Sequence, residues 1–130
     1  MILLDTHAWL WWLGEPERLG PAARTAIDDA VAADAVFIST ISAWEVAMLV
    51  QKGRLELDRS PLELVRSCEA MPFVHFVDLD PTLAVSSVAL DLPHQDPADR
   101  FIAATARWLG CPLATADARL LEAPWLDTVW

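Results

Sequence analysis

The sequence predicts an α/β fold built around a parallel sheet. Short apolar runs of strand length alternate with longer segments whose apolar residues recur at helical spacing. No repeat, low-complexity tract or long linker interrupts that alternation. The chain has 130 residues, 55% of them apolar, which suits one domain over residues 1–130 that builds its core without staples.

In chain order, Ile2-Leu3-Leu4 is a short strand reaching Asp5, and Thr6 to Leu13 is a short helix stopped near Gly14-Glu15-Pro16. Pro21 to Ala33 is a helix with Pro at its first position. Val36-Phe37-Ile38 is a buried strand, followed by a helix from about Ser42 to Lys52 that Gly53 terminates. Ser60-Pro61-Leu62-Glu63 opens another helix, and Phe73 to Val77 is the third strand. Pro81 to Leu90 is helical, and Pro97 to Leu109 is a strong helix ended by Gly110. Pro112 to Thr115 is the fourth strand, Asp117 to Leu121 a short helix, and Leu126 to Trp130 a closing edge strand.

Composition narrows the function. Nineteen acids against nine bases leave a net charge of −10, and one Lys (Lys52) with eight scattered Arg makes no basic stripe, so broad coating of nucleic acid is disfavoured. Ala8 to Leu13 is the longest apolar stretch near the start, far short of the roughly 18 residues of a membrane span. Met1-Ile2-Leu3-Leu4-Asp5 lacks the basic region of a signal peptide, so a cytoplasmic protein is expected. Cys68 and Cys111 have neither a C-x-x-C partner nor a His cluster beside them, and read as small core residues.

In open α/β sheets the functional crevice lies beyond the carboxyl ends of the strands. Asp5 ends the first strand, Glu45 sits in the first turn of the helix after the second, Asp99 in the first turn of the helix opened by Asp96-Pro97, and Asp117 two residues after Thr115. A parallel sheet would bring these four acids to one edge. Two such charges about 5 Å apart repel by roughly 3 kcal/mol at an effective dielectric of 20, so the cluster needs protons or a cation. Carboxylates without His or Cys favour Mg²⁺ or Mn²⁺, ions that catalyse phosphodiester hydrolysis.

A plainer reading competes. Ser42-Ala43-Trp44-Glu45 fits a capping box, and Asp96-Pro97-Ala98-Asp99 fits an N-cap, a first-position Pro and a dipole-favoured acid. Ser60-Pro61-Leu62-Glu63 has the same form with no strand immediately before it. Taken singly, capping is the better account of Glu45 and Asp99, while Asp5 and Asp117 each sit where a cap or a ligand fits. Spacing alone leaves capping and metal binding level.

Beyond the isolated acids, the segments Leu4-Asp5-Thr6-His7-Ala8-Trp9-Leu10-Trp11, Ile41-Ser42-Ala43-Trp44-Glu45-Val46-Ala47, Asp96-Pro97-Ala98-Asp99-Arg100-Phe101-Ile102-Ala103-Ala104-Thr105-Ala106 and Ala114-Thr115-Ala116-Asp117 occur in an order and spacing that resembles the PIN-domain ribonucleases, more narrowly the VapC toxins of type II toxin–antitoxin systems. The resemblance covers nearly the whole chain. It implies a three-layer α/β/α fold with a central, mostly parallel sheet of four to five strands. It also implies a metal-dependent endoribonuclease that uses one or two Mg²⁺ ions, with Mn²⁺ as substitute. Asp5 and Asp99 would coordinate directly, Glu45 next, and Asp117 through water; Thr6 and Thr115 would orient these acids or a water. Asp96 fits the extended motif, with its N-cap role sufficient by itself, and Arg100 fits either a phosphate contact or a structural ion pair. The implied partners are RNA, a small antitoxin with a basic residue reaching the acids, and a second copy of the chain.

Other residues compete for attention. Seven Trp include Trp9, Trp11, Trp12 and Trp44 near the acids in sequence; helical spacing of Trp9, Trp12 and Leu13 favours core or dimer packing over stacking on bases. His7 and His94 flank the acids without being expected as ligands, and Arg107 and Arg119 are weaker phosphate candidates. Three other functions stay open: a receiver-like phosphoacceptor with Lys52 as its lysine, a non-catalytic interaction domain whose acids only cap helices, and a PIN-fold nuclease without an antitoxin.

Overall fold

The computed structural model describes residues 1–93 and 96–130. Five strands, β1 (Ile2–Leu4), β2 (Val36–Ser39), β3 (Val74–Val77), β4 (Leu113–Ala114) and β5 (Thr128–Val129), form one sheet in the order β3-β2-β1-β4-β5. Every pairing is parallel, so the expected mostly parallel sheet is wholly so. The helices are α1 (Thr6–Gly14), α2 (Pro21–Ala32), α3 (Thr40–Gln51), α4 (Pro61–Glu69), α5 (Pro81–Val88), α6 (Pro97–Leu109) and α7 (Ala118–Leu121). A single 3₁₀ turn, Pro16–Arg18, follows α1 and was not expected. None of these helices is long and apolar enough to cross a membrane.

Alternation of side chains along β1 builds the two halves of the core. Ile2 and Leu4 pack with Trp9, Ala23, Ile27, Val46 and Leu64 on one face, while Leu3 packs with Ile102, Leu113 and Leu120 on the other. Helices therefore cover both faces of the sheet, the three-layer arrangement expected of a parallel sheet. Cys68 and Cys111 are buried free thiols, as expected, and the Trp9 indole N–H donates to Cys68 Sγ at 3.4 Å.

Boundaries differ in three informative places. Helix α3 begins at Thr40 with Ser39 as its N-cap, the Ser39 hydroxyl accepting from Ile41 N–H at 3.3 Å. Ser42 is thus not a cap and Glu45 lies in the second turn, which overturns the capping-box reading. Helix α5 stops at Val88, two residues short of Leu90, and β4 and β5 are two residues each. The expected caps at Ser60, Asp96, Asp117, Gly53 and Gly110 are present: Ser60 and Glu63 form a complete capping box, and both glycines have positive φ.

The chain builds outward from β1 to β2 and β3, then returns to place β4 and β5 on the other side of β1. The order reverses between β1 and β4, and a crevice opens at the carboxyl ends of strands where the crossovers diverge in this way.

Candidate active site

Asp5 leaves the end of β1 and caps α1, its Oδ1 accepting from Ala8 N–H at 2.7 Å. Its backbone N–H donates to Ala114 at 3.1 Å, tying it to the end of β4. Asp5 is only 8% exposed. Burial pushes its carboxyl above the usual range, opposed by hydrogen bonds from Thr115 and Ala8 and by His7, and reinforced by Asp117.

Glu45 is held in a similar way. Thr6, at the start of α1, is buried with its hydroxyl 2.5 Å from Glu45 Oε1 and 3.0 Å from the buried Ser42 hydroxyl. This three-residue contact locks α3 to α1. Burial raises the Glu45 pKa from 4.5 to about 7; Thr6 opposes the shift, and Asp99, Asp96 and Asp5 add to it. Thr115, fully buried, hydrogen-bonds the Asp5 carboxylate and accepts from Asp117 N–H at 3.1 Å. Each threonine therefore hydrogen-bonds an acid.

Asp96 caps α6 by accepting from Ala98 N–H at 3.0 Å, which leaves Asp99 in the first turn without that task. Asp117 caps α7 through Arg119 N–H at 2.8 Å. Asp5, Glu45, Asp96, Asp99 and Asp117 all line one cleft of about 520 Å³. The capping reading and the cleft reading are thus both true of Asp5, Asp96 and Asp117, whereas Glu45 caps nothing.

Among the described residues no three His, Cys, Asp or Glu side chains are drawn together tightly enough to form a finished metal cage. The donor chemistry nonetheless fits a hard divalent cation: the acids are oxygen donors, two of them hold their protons more tightly than usual, and a cation relieves that condition.

Arg100 reaches away from the cleft lining to backbone carbonyls. Its guanidinium donates to the carbonyls of Ser87, Val88, Leu90 and Leu92 at 2.7 to 3.1 Å, holding the end of α5 and the turn after it. Two arginines do line the cleft, Arg119, 3.6 Å from Asp117, and Arg18, which nothing in the sequence marked. Arg18 arrives through the 3₁₀ turn that folds back over α1, a placement only the tertiary structure makes. The tryptophans divide: Trp9 is fully buried, Trp12 packs edge-on to Phe73, Trp44 is exposed and away from the cleft lining, and Trp11 forms part of the cleft wall with His7. His94 lies outside the described residues. Lys52 caps the far end of α3 and is not among the residues lining the cleft, so the receiver-like arrangement lacks its lysine.

Residues 2–126 match the PIN domain family. The chain is 38% identical over 132 positions to Ribonuclease VapC22 of Mycobacterium tuberculosis (strain ATCC 25618 / H37Rv), covering 99% of this chain and 98% of that one. Its fold resembles VapBC2 from Rickettsia felis bound to a DNA fragment from their promoter, with a TM-score of 0.71 at 15% identity over 98% and 97% of the two chains. A toxin-antitoxin complex from Klebsiella pneumoniae gives a TM-score of 0.66 at 21% identity over 100% and 97%. The structural likenesses speak for the fold, and the sequence matches along nearly the full length speak for descent: this chain belongs to the PIN-domain family and, within it, to the VapC type.

Proposed function

We propose that this protein is a metal-dependent endoribonuclease, acting as one PIN domain over residues 1–130, and the toxin of a VapBC-type module. The observation that carries the reading is the convergence of Asp5, Glu45, Asp99 and Asp117, from four separate elements, on one cleft where the strand order reverses. The relative's name, a ribonuclease, supports RNA as substrate.

Asp5 and Asp99 would hold the cation directly, with Glu45 next and Asp117 through water. One or two Mg²⁺ ions held there, or Mn²⁺ in their place, would supply a water of lowered pKa and positive charge against the phosphorane-like transition state. The chain's own residues supply positioning. Thr115 and the Ala8 N–H fix the Asp5 oxygens, and the Thr6 hydroxyl fixes Glu45 Oε1. Glu45, titrating near neutrality, holds or releases a proton at its carboxyl as the local charge changes. No side chain needs to act as a nucleophile.

The solved toxin-antitoxin complexes of like fold support an antitoxin partner. An Arg or Lys of that partner entering the acidic cleft would offset its charge. A homodimer is part of the same proposal. Helix α5 exposes Val85 and Val88 and α6 exposes Trp108, beside a mostly apolar groove between the two helices, and such a surface offsets the self-repulsion of a chain of charge −10.

The test is cleavage of RNA by purified protein in Mg²⁺ or Mn²⁺. Asp5→Asn and Asp99→Asn each abolish cleavage and leave circular dichroism unchanged; an Asp5→Asn protein that cuts as fast as the wild type sinks the assignment. Sequencing the RNA ends from cells expressing wild type beside Asp5→Asn identifies the target. Suppression of those ends by a co-expressed basic partner separates a toxin from a PIN nuclease that works without an antitoxin.

A further inference from the structure

Trp11 occupies an unusual position for an aromatic on a core helix. It lines the acidic cleft and also a second cavity, of about 520 Å³, that continues past α1 toward Arg54 and Arg59. His7 and Arg18 are the other residues common to both, so the two cavities meet at His7, Trp11 and Arg18. The indole is braced by neighbours: its centroid is 5.7 Å from the His7 ring, tilted 50°, and 5.6 Å from the Trp130 ring, tilted 59°. A braced ring loses little freedom when a planar group lands on it.

The Arg18 guanidinium lies over the Trp11 ring, its carbon 4.5 Å from the centroid. It is 3.5 Å from Glu15, and both side chains are more than half exposed, so neither solvated contact holds it firmly. In a cleft walled by five carboxylates, the described cations on the lining are Arg18 and Arg119. Arg119 stands against Asp117 inside the cleft, whereas Arg18's partner Glu15 faces the second cavity. Arg18 is therefore the cation positioned to meet a phosphate that leaves the acidic centre toward that cavity.

We propose that Trp11 and Arg18 form a subsite for an unpaired nucleotide of the RNA strand adjoining the scissile phosphate, the base stacking on the Trp11 ring and the phosphate meeting the Arg18 guanidinium. This rests on the ribonuclease reading for its substrate and extends it to how the strand is held. Stacking on an aromatic face tolerates any base but requires the base to be unpaired, so the subsite selects single strands. The guanidinium now covering the ring swings aside to the phosphate as the base takes its place. In a chain with so few basic side chains, the Arg18 guanidinium adds to a cation held by the acids in offsetting their repulsion of RNA.

Anisotropy of a fluorescein-labelled single-stranded RNA octamer in Mg²⁺ tests this, with every variant built on an Asp99→Asn parent that prevents turnover. Trp11→Leu and Arg18→Ala each weaken binding about tenfold, a loss typical of a stacked base or a phosphate contact. Trp11→Phe, which keeps a ring, stays within about threefold of the parent and separates stacking from packing. Arg18→Ala also flattens the slope of log affinity against log salt by about 0.7, as loss of one single-strand phosphate contact does. Glu15→Gln, which removes the competing carboxylate, tightens binding, and the paired octamer binds more weakly than the single strand. Binding by Trp11→Leu within twofold of the parent overturns the proposal, as do equal losses in Trp11→Phe and Trp11→Leu, or a parent that binds no RNA. The expected losses in a protein whose wild type cuts no RNA leave the subsite standing and sink the ribonuclease reading. Cleavage by a wild type whose binding ignores both residues does the reverse.

Discussion

Glu45 sits where three other acids, Asp99, Asp96 and Asp5, raise its pKa on top of the cost of burial. The sign for stability follows directly. A carboxyl whose pKa is higher in the folded chain binds its proton more tightly there, so its favourable contribution is complete below 4.5 and is lost as pH rises through about 7. In metal-free protein, the stability of wild type relative to Glu45→Gln falls across that interval by about 2 kcal/mol, after allowance for the water that reaches the side chain. Urea denaturation at pH 4.5 and 7.5 measures it, and added Mn²⁺ flattens the dependence. Thr115→Val removes the hydroxyl that lowers the Asp5 pKa, so half-saturation by Mn²⁺ moves to higher concentration by about tenfold, the usual scale for a lost partner of a ligand. Isothermal titration reads this directly. Asp5 and Asp99 were legible as candidates from spacing, but no local signal separates a ligand from a cap, because an acid after a strand does both jobs with the same atoms.

At the scale of elements, caps set most of the boundaries. The Ser60–Glu63 box, Asp96 with Pro97, and Gly110 at φ +65° end or begin helices where the sequence indicates. Around α3 the residues Ser39, Thr40 and Ser42 are all competent to cap, and local chemistry cannot choose among them. The choice is made by β2, which runs straight into the helix, and by burial of Ser42 against Thr6. Helix α5 ends under the Arg100 guanidinium, which satisfies carbonyls that a helix end leaves without partners. Arg100→Ala costs about 2–4 kcal/mol in chemical denaturation, since several buried or half-buried carbonyls lose a charged donor. Arg100→Lys recovers only part, because an ammonium lacks the planar fork that reaches four oxygens.

Across the whole molecule, the last strand closes the sheet by bringing Trp130 against the start of α2. A Cβ at Gly20 would stand 2.3 Å from the Trp130 carbonyl carbon and 2.8 Å from its ring, and backbone cannot yield as a flexible side chain does. Gly20→Ala therefore destabilises the fold by about 1–3 kcal/mol, measured by thermal melting. It also disturbs the ring that braces Trp11. On the opposite side, Trp108→Glu adds charge to the exposed apolar surface of α5 and α6, and converts the proposed dimer to monomer in sedimentation. The charge of −10 takes on a narrower meaning at this scale. Five of the nineteen acids line one cleft, so part of the acidity marks a place for cations while the remainder disfavours broad contact with nucleic acid.

The sequence by itself determined the α/β class, the strand and helix order, most caps, the buried cysteines and the four acids, because each is written in local periodicity or in a residue's own chemistry. Only the tertiary structure decided that Glu45 is free of capping, that Arg100 clamps a helix end, and that Arg18 covers Trp11 at the mouth of the cleft. These three depend on side chains that meet across 36 residues, on a guanidinium that reaches back 8 to 13 residues to another helix end, or on how a short turn folds back, and none leaves a periodic trace in the chain. The acids themselves could be foreseen to converge because a parallel sheet sends all its carboxyl ends to one edge, whatever lies between them.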